Sequence, residues 1–393
     1  MAQIFISHQP VISRQGKIIA SRLRLHANAA DAKAMPHVVA ALRAIEEYWP
    51  TGQHGFFLGL NDAPVTPAIF DWMLPENATI EIPAPSLRGE DGALLRRAVQ
   101  DNGASLCVGF DAQLGQGTGE GITGRFLGFD GRTITPVQMR AMAVKLKACG
   151  IPIAVGVDSP ETFKASVDAG IHAVAGWFCK HAVKPTGKAL APNQAHIVRL
   201  LNLVRNDADV AQIETALKQD VALSYKLLRY INSAGFGLSC EIQSFRHAVT
   251  MLGYNKLHKW LSLLLVTAGK DAMAPMLMHA SLIRARFMEL LGVGLVDKSE
   301  GDNLFITGAF SLLDHLLGVS LETALGEMHL PESISEALLT RIGLYAPFYH
   351  LALACENDDG AEIEEIAGSL GLDAQQVNAA LLQALAFAAT MTA

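Results

Sequence analysis

The sequence predicts two fold classes in one chain, α/β plus all-α: a trimmed TIM-like (β/α) barrel followed by an all-helical domain. Three observations carry this. Residues 1–180 alternate short β-rich runs with amphipathic stretches, the pattern of strand–helix units around a parallel sheet. Residues 181–193, HAVKPTGKALAPN, hold two prolines and no amphipathic period, which marks a linker. Residues 194–393 carry a helical period throughout.

In order, runs 4–12 and 17–25 flank the turn Arg14-Gln-Gly16-Lys17 and read as a hairpin. Strands follow at 56–60, 79–82, 105–110, 125–129, 152–157 and 172–177. Helices are expected at 34–48, 66–73, 88–102, 136–149 and 159–169. So many units in so few residues suggest a trimmed barrel. Past the linker, Ile197, Leu200, Leu201 and Val204 form one apolar stripe. Asp220 and Ser244 suit helix N-caps, and Pro275 and Pro331 suit helix starts.

Half of the 393 residues are hydrophobic and 18% are charged, against a usual proportion of roughly a quarter. Such a chain folds compactly and can leave apolar surface for a partner, which is compatible with a homodimer. Residues 1–190 hold 18 Lys/Arg against 16 Asp/Glu; residues 191–393 hold 13 against 22. The acidic second half argues against nucleic acid as a partner. Five scattered cysteines, never in C-x-x-C spacing, suit reduced and mostly buried thiols. The first residues lack a signal-peptide layout, and apolar runs such as 261–268 are short of a membrane span. The expectation is a cytoplasmic protein without a membrane partner.

Two stretches of the second half, LLNLVRNDADVAQIETALKQDVALSYKLLRYINSAGFGLSCEIQSFRHAVTMLG (200–253) and KWLSLLLVTAG (259–269), resemble the HDOD domain, a helical relative of HD-type phosphohydrolases, and GAFSLLDHLLGVSLETAL (308–325) resembles the tail seen when HDOD follows an EAL-type domain. In the first half, HQPVISRQGKIIASRLRL (8–25) resembles the opening hairpin of the EAL domain, the fold of cyclic di-GMP phosphodiesterases. The resemblance implies where a metal site would lie. The family's signature Glu falls on Arg22, its metal-binding Asn on Gly59, and its next Glu is kept as Glu81. The Asp-Asp pair falls on Gly109 and Phe110, and the Lys on Gly128 beside a surviving Asp130. The later Glu pair falls on Val155 and Asp158, and a Gln on Ala175. A guanidinium repels a divalent metal, so the expectation is a degenerate site with no metal, no cofactor and no enzymatic activity.

The HDOD half lacks the HD ligand pattern. Its histidines His247, His258, His279, His315 and His350 are scattered, and Asp314-His315 reverses the order. Neighbours on a helix point about 100° apart and chelate one ion poorly. Solvated or hydrogen-bonded histidines are expected. Tyr345, Phe348 and Tyr349 read as core.

Arg22 and Arg24 share one strand face, which leaves two readings: a solvent-facing pair, or Arg22 turned into the former metal site and paired with Glu81 in place of a metal. Arg24 and Arg125 are the candidate ligand contacts; Phe236 and Leu238, around the loop SAGFG (233–237), are candidate partner contacts. Gly119-Glu-Gly121-Ile-Thr-Gly124 matches G-x-G-x-x-G but precedes a strand rather than a helix, so it is no dinucleotide loop; residues 112–124 are expected to be mobile and without helix.

The function expected from these residues and the resemblance is a non-catalytic bacterial signal-transduction scaffold acting through contacts with other signalling proteins. The alternatives are a cyclic di-GMP receptor without turnover and a residual cyclic di-GMP phosphodiesterase.

Overall fold

A computed structural model describes residues 3–27, 34–61, 63–110, 124–181, 189–219, 245–267 and 273–392. The chain divides into two compact units. The first comprises Met1–Ala182 together with Leu353–Leu382; the second comprises Val183–Ala352 and Gln383–Ala393.

The first unit is built on a closed barrel of eight strands in sequence order. They are β1 (Phe5–Ser13), β2 (Ile18–His26), β3 (Gly55–Asn61), β4 (Ala78–Pro83), β5 (Ser105–Phe110), β6 (Phe126–Asp130), β7 (Ile151–Val155) and β8 (Ala173–Ala175). Each falls on an expected run. Strands β2 to β8 are parallel, whereas β1 is antiparallel to both of its neighbours. The cause is the tight hairpin: Gly16 takes φ +76°, open to glycine without a Cβ penalty, and the Ser13 amide donates to the Lys17 carbonyl at 2.8 Å. The start of β1 therefore lies at the same barrel end as the C-termini of the other seven, with Ser7 opposite Arg24.

Strand alternation sends every second side chain inward. Val11, Ala20, Phe57, Cys107, Ile153, Ala173 and Ala175 fill the interior as one apolar cluster. Two residues further along, toward the C-terminal mouth, the inward positions become Arg22, Gly59, Glu81, Gly109 and Gly128. The barrel is thus plugged below and open above.

Helices cover the outside: α1 (Ala34–Ala44), α2 (Gly89–Asp101), α3 (Pro136–Lys147) and α4 (Pro160–Asp168). Local chemistry starts the last two. Thr135 and Gln138 form a capping box ahead of Pro136, and the Ser159 hydroxyl accepts from the Thr162 amide ahead of Pro160. The helix expected at 66–73 is only a 3₁₀ turn, Pro67–Phe70. Prolines at 64, 67 and 75 remove the amide donors that a longer helix needs.

The described residues of the second unit are helical: α5 (Pro192–Arg205), α6 (Val210–Lys218), α7 (Phe245–Val266), α8 (Ala274–Leu291), α9 (Lys298–Phe310) and the shorter α10 (Leu313–Leu317), α11 (Leu321–Gly326) and α12 (Glu332–Leu339). Pro275 opens α8 and Pro331 caps α12, as expected. Helix α7 is broken at Gly253, φ 75° and ψ 171°. Tyr345, Phe348 and Tyr349 are core, each 3% exposed or less. Of the two branches expected for the histidines, solvated or hydrogen-bonded, the solvated one fails for His258 and His279, which are buried. Helix α8 is apolar nearly all round, and His279 shares that burial.

Helix α13 (Ala346–Asn357) is followed by α14 (Gly360–Ser369) and α15 (Ala374–Thr392). Within the first unit, Asn378 closes a reciprocal pair with β1: Ile6 N donates to its Oδ1 at 3.0 Å, and its Nδ2 donates to the Ile4 carbonyl at 2.8 Å. Asn378 is 1% exposed, so this amide serves as a ladder partner for a strand end.

Candidate functional site

The mouth of the barrel holds a cavity of about 360 Å³. Arg22, Arg24, Gly59, Glu81, Gly109, Phe110, Gly128, Asp130 and Val155 all line it. Parallel strands in register explain the convergence: Arg24 stands beside Gly59, Gly109 beside Gly128, and Asp130 beside Val155.

Arg22 and Glu81 meet across the mouth. The Arg22 Nε–H is shared between both Glu81 oxygens, at 2.8 and 2.9 Å, and Nη1 donates to Gln9 Oε1 at 3.3 Å. Burial opposes the charge on Arg22, yet the Glu81 carboxylate beside it and the more distant Asp358 hold its pKa above the ordinary value. The same apolar surroundings, with Glu81 close by, push the Cys107 thiol well up, so Cys107 sits there as a protonated thiol. Asp130 answers to a second arginine. Burial favours its neutral form, but hydrogen bonds from the Arg132 side chain and amide outweigh that and lower its pKa; Arg132 Nη2 lies 2.7 Å from Oδ2.

The C-terminal segment contributes a residue that sequence reasoning missed. Asp358, between α13 and α14, accepts a hydrogen bond from the Ser7 hydroxyl and lies 3.3 Å from His26 Nε2 and 4.0 Å from Arg24 Nε. Burial would raise its pKa, but hydrogen bonds from His26 and Ser7 and the charge of Arg24 bring it down to about 2. Arg24 also donates to Asn61 Oδ1. Ser7, His26 and Asp358 have the residue types of a nucleophilic triad without its arrangement. Ser7 Oγ and Asp358 both address His26 Nε2, while Nδ1 faces Asn61 at 3.4 Å. A relay needs hydroxyl and carboxylate on opposite ring nitrogens. Ser7 is moreover 1% exposed.

The remaining expected residues lie elsewhere. Asp158 is exposed just beyond β7 and adds to the field at Arg132. Arg125 precedes β6 and lines a separate cleft with Arg96 and Glu76, away from the mouth, so it is no partner of Arg24. Phe236, Leu238 and the run 112–123 lie outside the described residues.

A divalent metal does not fit the mouth as it stands. Glu81 is engaged by Arg22 and Asp130 by Arg132, and among the described residues no three His, Cys, Asp or Glu side chains come together as ligands. Among those residues, too, no helix is long and apolar enough to cross a membrane.

The HDOD domain family model matches residues 190–308. The cyclic di-GMP phosphodiesterase CdgJ of Vibrio cholerae is 29% identical over 233 residues, 59% of this chain and 54% of that protein. The uncharacterized protein YuxH of Bacillus subtilis is 26% identical over 238 residues, 59% of this chain and 57% of that one. The chain thus spans about half the length of these curated relatives. Among solved structures, the FimX EAL domain of Pseudomonas aeruginosa bound to c-di-GMP matches 45% of this chain and 89% of its own, at 14% identity and a TM-score of 0.35. The likeness to CdgJ, a protein named as an enzyme, overturns the expectation of a chain without enzymatic activity. The arginine pairs at the mouth describe this geometry and do not exclude turnover. The chain thus joins a closed eight-stranded barrel to a helical region whose residues 190–308 match the HDOD domain family model.

Proposed function

We propose that the barrel mouth binds a phosphodiester of the cyclic di-GMP class and that the chain works in cyclic di-GMP signalling. One observation carries this reading: two guanidinium groups, Arg22 and Arg24, stand on one strand face inside a cavity of about 360 Å³. A guanidinium presents a planar fork of donors that matches phosphate oxygens two at a time, and a low-dielectric wall strengthens the contact. The relative named as a cyclic di-GMP phosphodiesterase supports this choice of ligand. Calorimetry with cyclic di-GMP, with and without Mg²⁺, tests it. Saturable binding lost in Arg24→Ala is the expected result; no heat from the unaltered chain at high micromolar ligand sinks the reading. Following linear dinucleotide in the same samples, and in Glu81→Gln, reads turnover directly.

A second reading places contacts with a signalling partner on the helical half. Leu339, Ile342 and Leu344 are 43%, 60% and 55% exposed within six residues, where soluble surfaces are usually polar. If these residues bind a partner, Ile342→Asp with Leu344→Asp removes it from a pull-down and leaves cyclic di-GMP binding unchanged. An unaltered pull-down rejects this surface.

A further inference from the structure

We propose that Asp358 is a specificity residue of the barrel mouth: an internal anion that faces Arg24 at 4.0 Å and competes with an incoming phosphate for its charge. The inference rests on the reading of the mouth as an anion site. It adds that the chain carries its own competitor for that site, on a segment 351 positions from the strand it touches.

The geometry is specific to Asp358 within its acidic run. In Glu356-Asn-Asp358-Asp359, each carboxylate has a different task. Glu356 is 2% exposed and pairs with Lys180. Asp359 caps α14 by accepting from the Glu362 amide at 3.0 Å. Asp358 alone is directed to the barrel, against Ser7, His26 and Arg24. Its backbone takes φ +62°, in the left-handed region that L-residues other than Asn and Asp seldom enter. Gly360 fixes the approach: a Cβ there would stand 2.5 Å from His26 Cγ, so only glycine lets the α13–α14 junction press onto β2.

Asp358 is held by hydrogen bonds from Ser7 and His26, with the charge of Arg24 4.0 Å away. Three side chains surround it, all from β1 and β2 at the mouth end. Its charge also reaches Arg22 and Arg132, so its field covers the arginines that an incoming phosphate meets. An anion approaching Arg24 meets a carboxylate already in place and repels it. Affinity for anions is therefore lower than the arginines alone would set, and ligands offering several phosphate contacts are favoured over single small anions. A purely structural latch would hold the segment down without this consequence.

The test uses the full chain and inorganic pyrophosphate as the probe, so that it does not depend on the ligand proposed above. Asp358→Asn keeps the shape and tolerates the left-handed backbone; Asp358→Gly keeps the backbone and removes the side chain. The expected result is pyrophosphate binding roughly three- to tenfold tighter in both variants, with a steeper salt dependence, and loss of that gain when Arg24→Ala is added. Lower melting temperature with unchanged pyrophosphate affinity overturns the proposal and leaves Asp358 a latch, and so does an absence of pyrophosphate binding in both variants. Cyclic di-GMP measured in parallel separates the two readings: a pyrophosphate gain without cyclic di-GMP binding keeps this inference and rejects that ligand.

Discussion

Gly59 owes its missing side chain to Glu81. A Cβ on Gly59 would stand 2.7 Å from Glu81 Oε2 and 3.3 Å from Glu81 Cβ. The carboxylate that pairs with Arg22 lies across the face of the neighbouring strand, over a residue that leaves it room. Gly59→Ala is expected to push Glu81 off Arg22 and destabilise the barrel by about 1–2 kcal/mol. Urea denaturation measures this; an Ala variant as stable as the parent would show that Glu81 has another place to go.

The Arg22–Glu81 pair predicts a marked asymmetry between single and double replacement. Their side chains are 11% and 14% exposed. Glu81→Ala leaves a buried guanidinium without its counter-charge and is expected to cost about 3 kcal/mol. Replacing both, as Arg22→Met with Glu81→Gln, removes the stranded charge and is expected to cost less than Glu81→Ala alone. A double variant no more stable than the sum of its singles argues against coupling.

His258 gives the helical half an acid-sensitive group. It is 4% exposed, and its Nδ1 has no hydrogen-bond partner among the described residues. Burial, with the charge of Arg205 behind it, lowers its pKa to about 4 from an ordinary 6.5. The unfolded chain therefore binds a proton that the folded chain refuses between those values. Stability is full above about pH 6.5 and falls as pH drops toward 4, by about 3 kcal/mol from this group. Hydrogen exchange in α7 reads it: protection that falls between pH 6.5 and 4 in the parent is expected to stay level in His258→Gln. Equal slopes assign the acid sensitivity to other groups.

How much of this was legible depends on the length scale of each contact. All eight strands could be placed because each is a short β-rich run, and the hairpin carries its own Gly16 turn. The Arg22–Glu81 pair was legible as one of two readings, because the EAL resemblance puts both residues at one site, and strand alternation alone left a solvent-facing arginine pair open. Asp358 was not legible: nothing in Glu356-Asn-Asp-Asp359 points to a distant strand, and only tertiary packing reveals that Asp358 is held against β1 and β2 while Glu356 meets Lys180. The burial of His258 and His279 was hidden for a similar reason, because a helix packed on several sides shows no polar face to distinguish. Arg125 was grouped with Arg24 as a ligand contact on charge alone, but it lies at the start of β6 and lines a separate cleft.

Two glycines in α9 predict opposite outcomes for the same substitution. A Cβ on Gly308 would stand 2.5 Å from Ala285 N and 2.6 Å from its Cα, in α8, whereas one on Gly301 meets nothing within 4 Å. Gly308→Ala pits a methyl against backbone that cannot move aside and is expected to cost about 3 kcal/mol. Gly301→Ala is expected to stabilise by about 1 kcal/mol through helix propensity alone. Thermal melts of the two variants decide it; equal shifts of one sign would mean that α8 and α9 do not approach closely.

Asp358 carries the last prediction, on stability rather than binding. Its folded pKa of about 2 lies below the usual aspartate value of 3.8. A depressed acid stabilises the folded state above the unfolded pKa, and the contribution is lost as pH falls through the folded one. From about pH 5 down to 2 the first unit should therefore lose about 2 kcal/mol that depends on this single carboxylate, in addition to losses from other groups. Asp358→Asn begins with that stability already missing, so its urea midpoint is expected to start lower at pH 6 and converge on the parent near pH 2. Curves that stay parallel over this range would mean that Ser7, His26 and Arg24 do not hold the ionised form. The direction is opposite to the expected effect on pyrophosphate. The contact that strengthens the fold is the one that weakens anion binding, and a single substitution should separate the two.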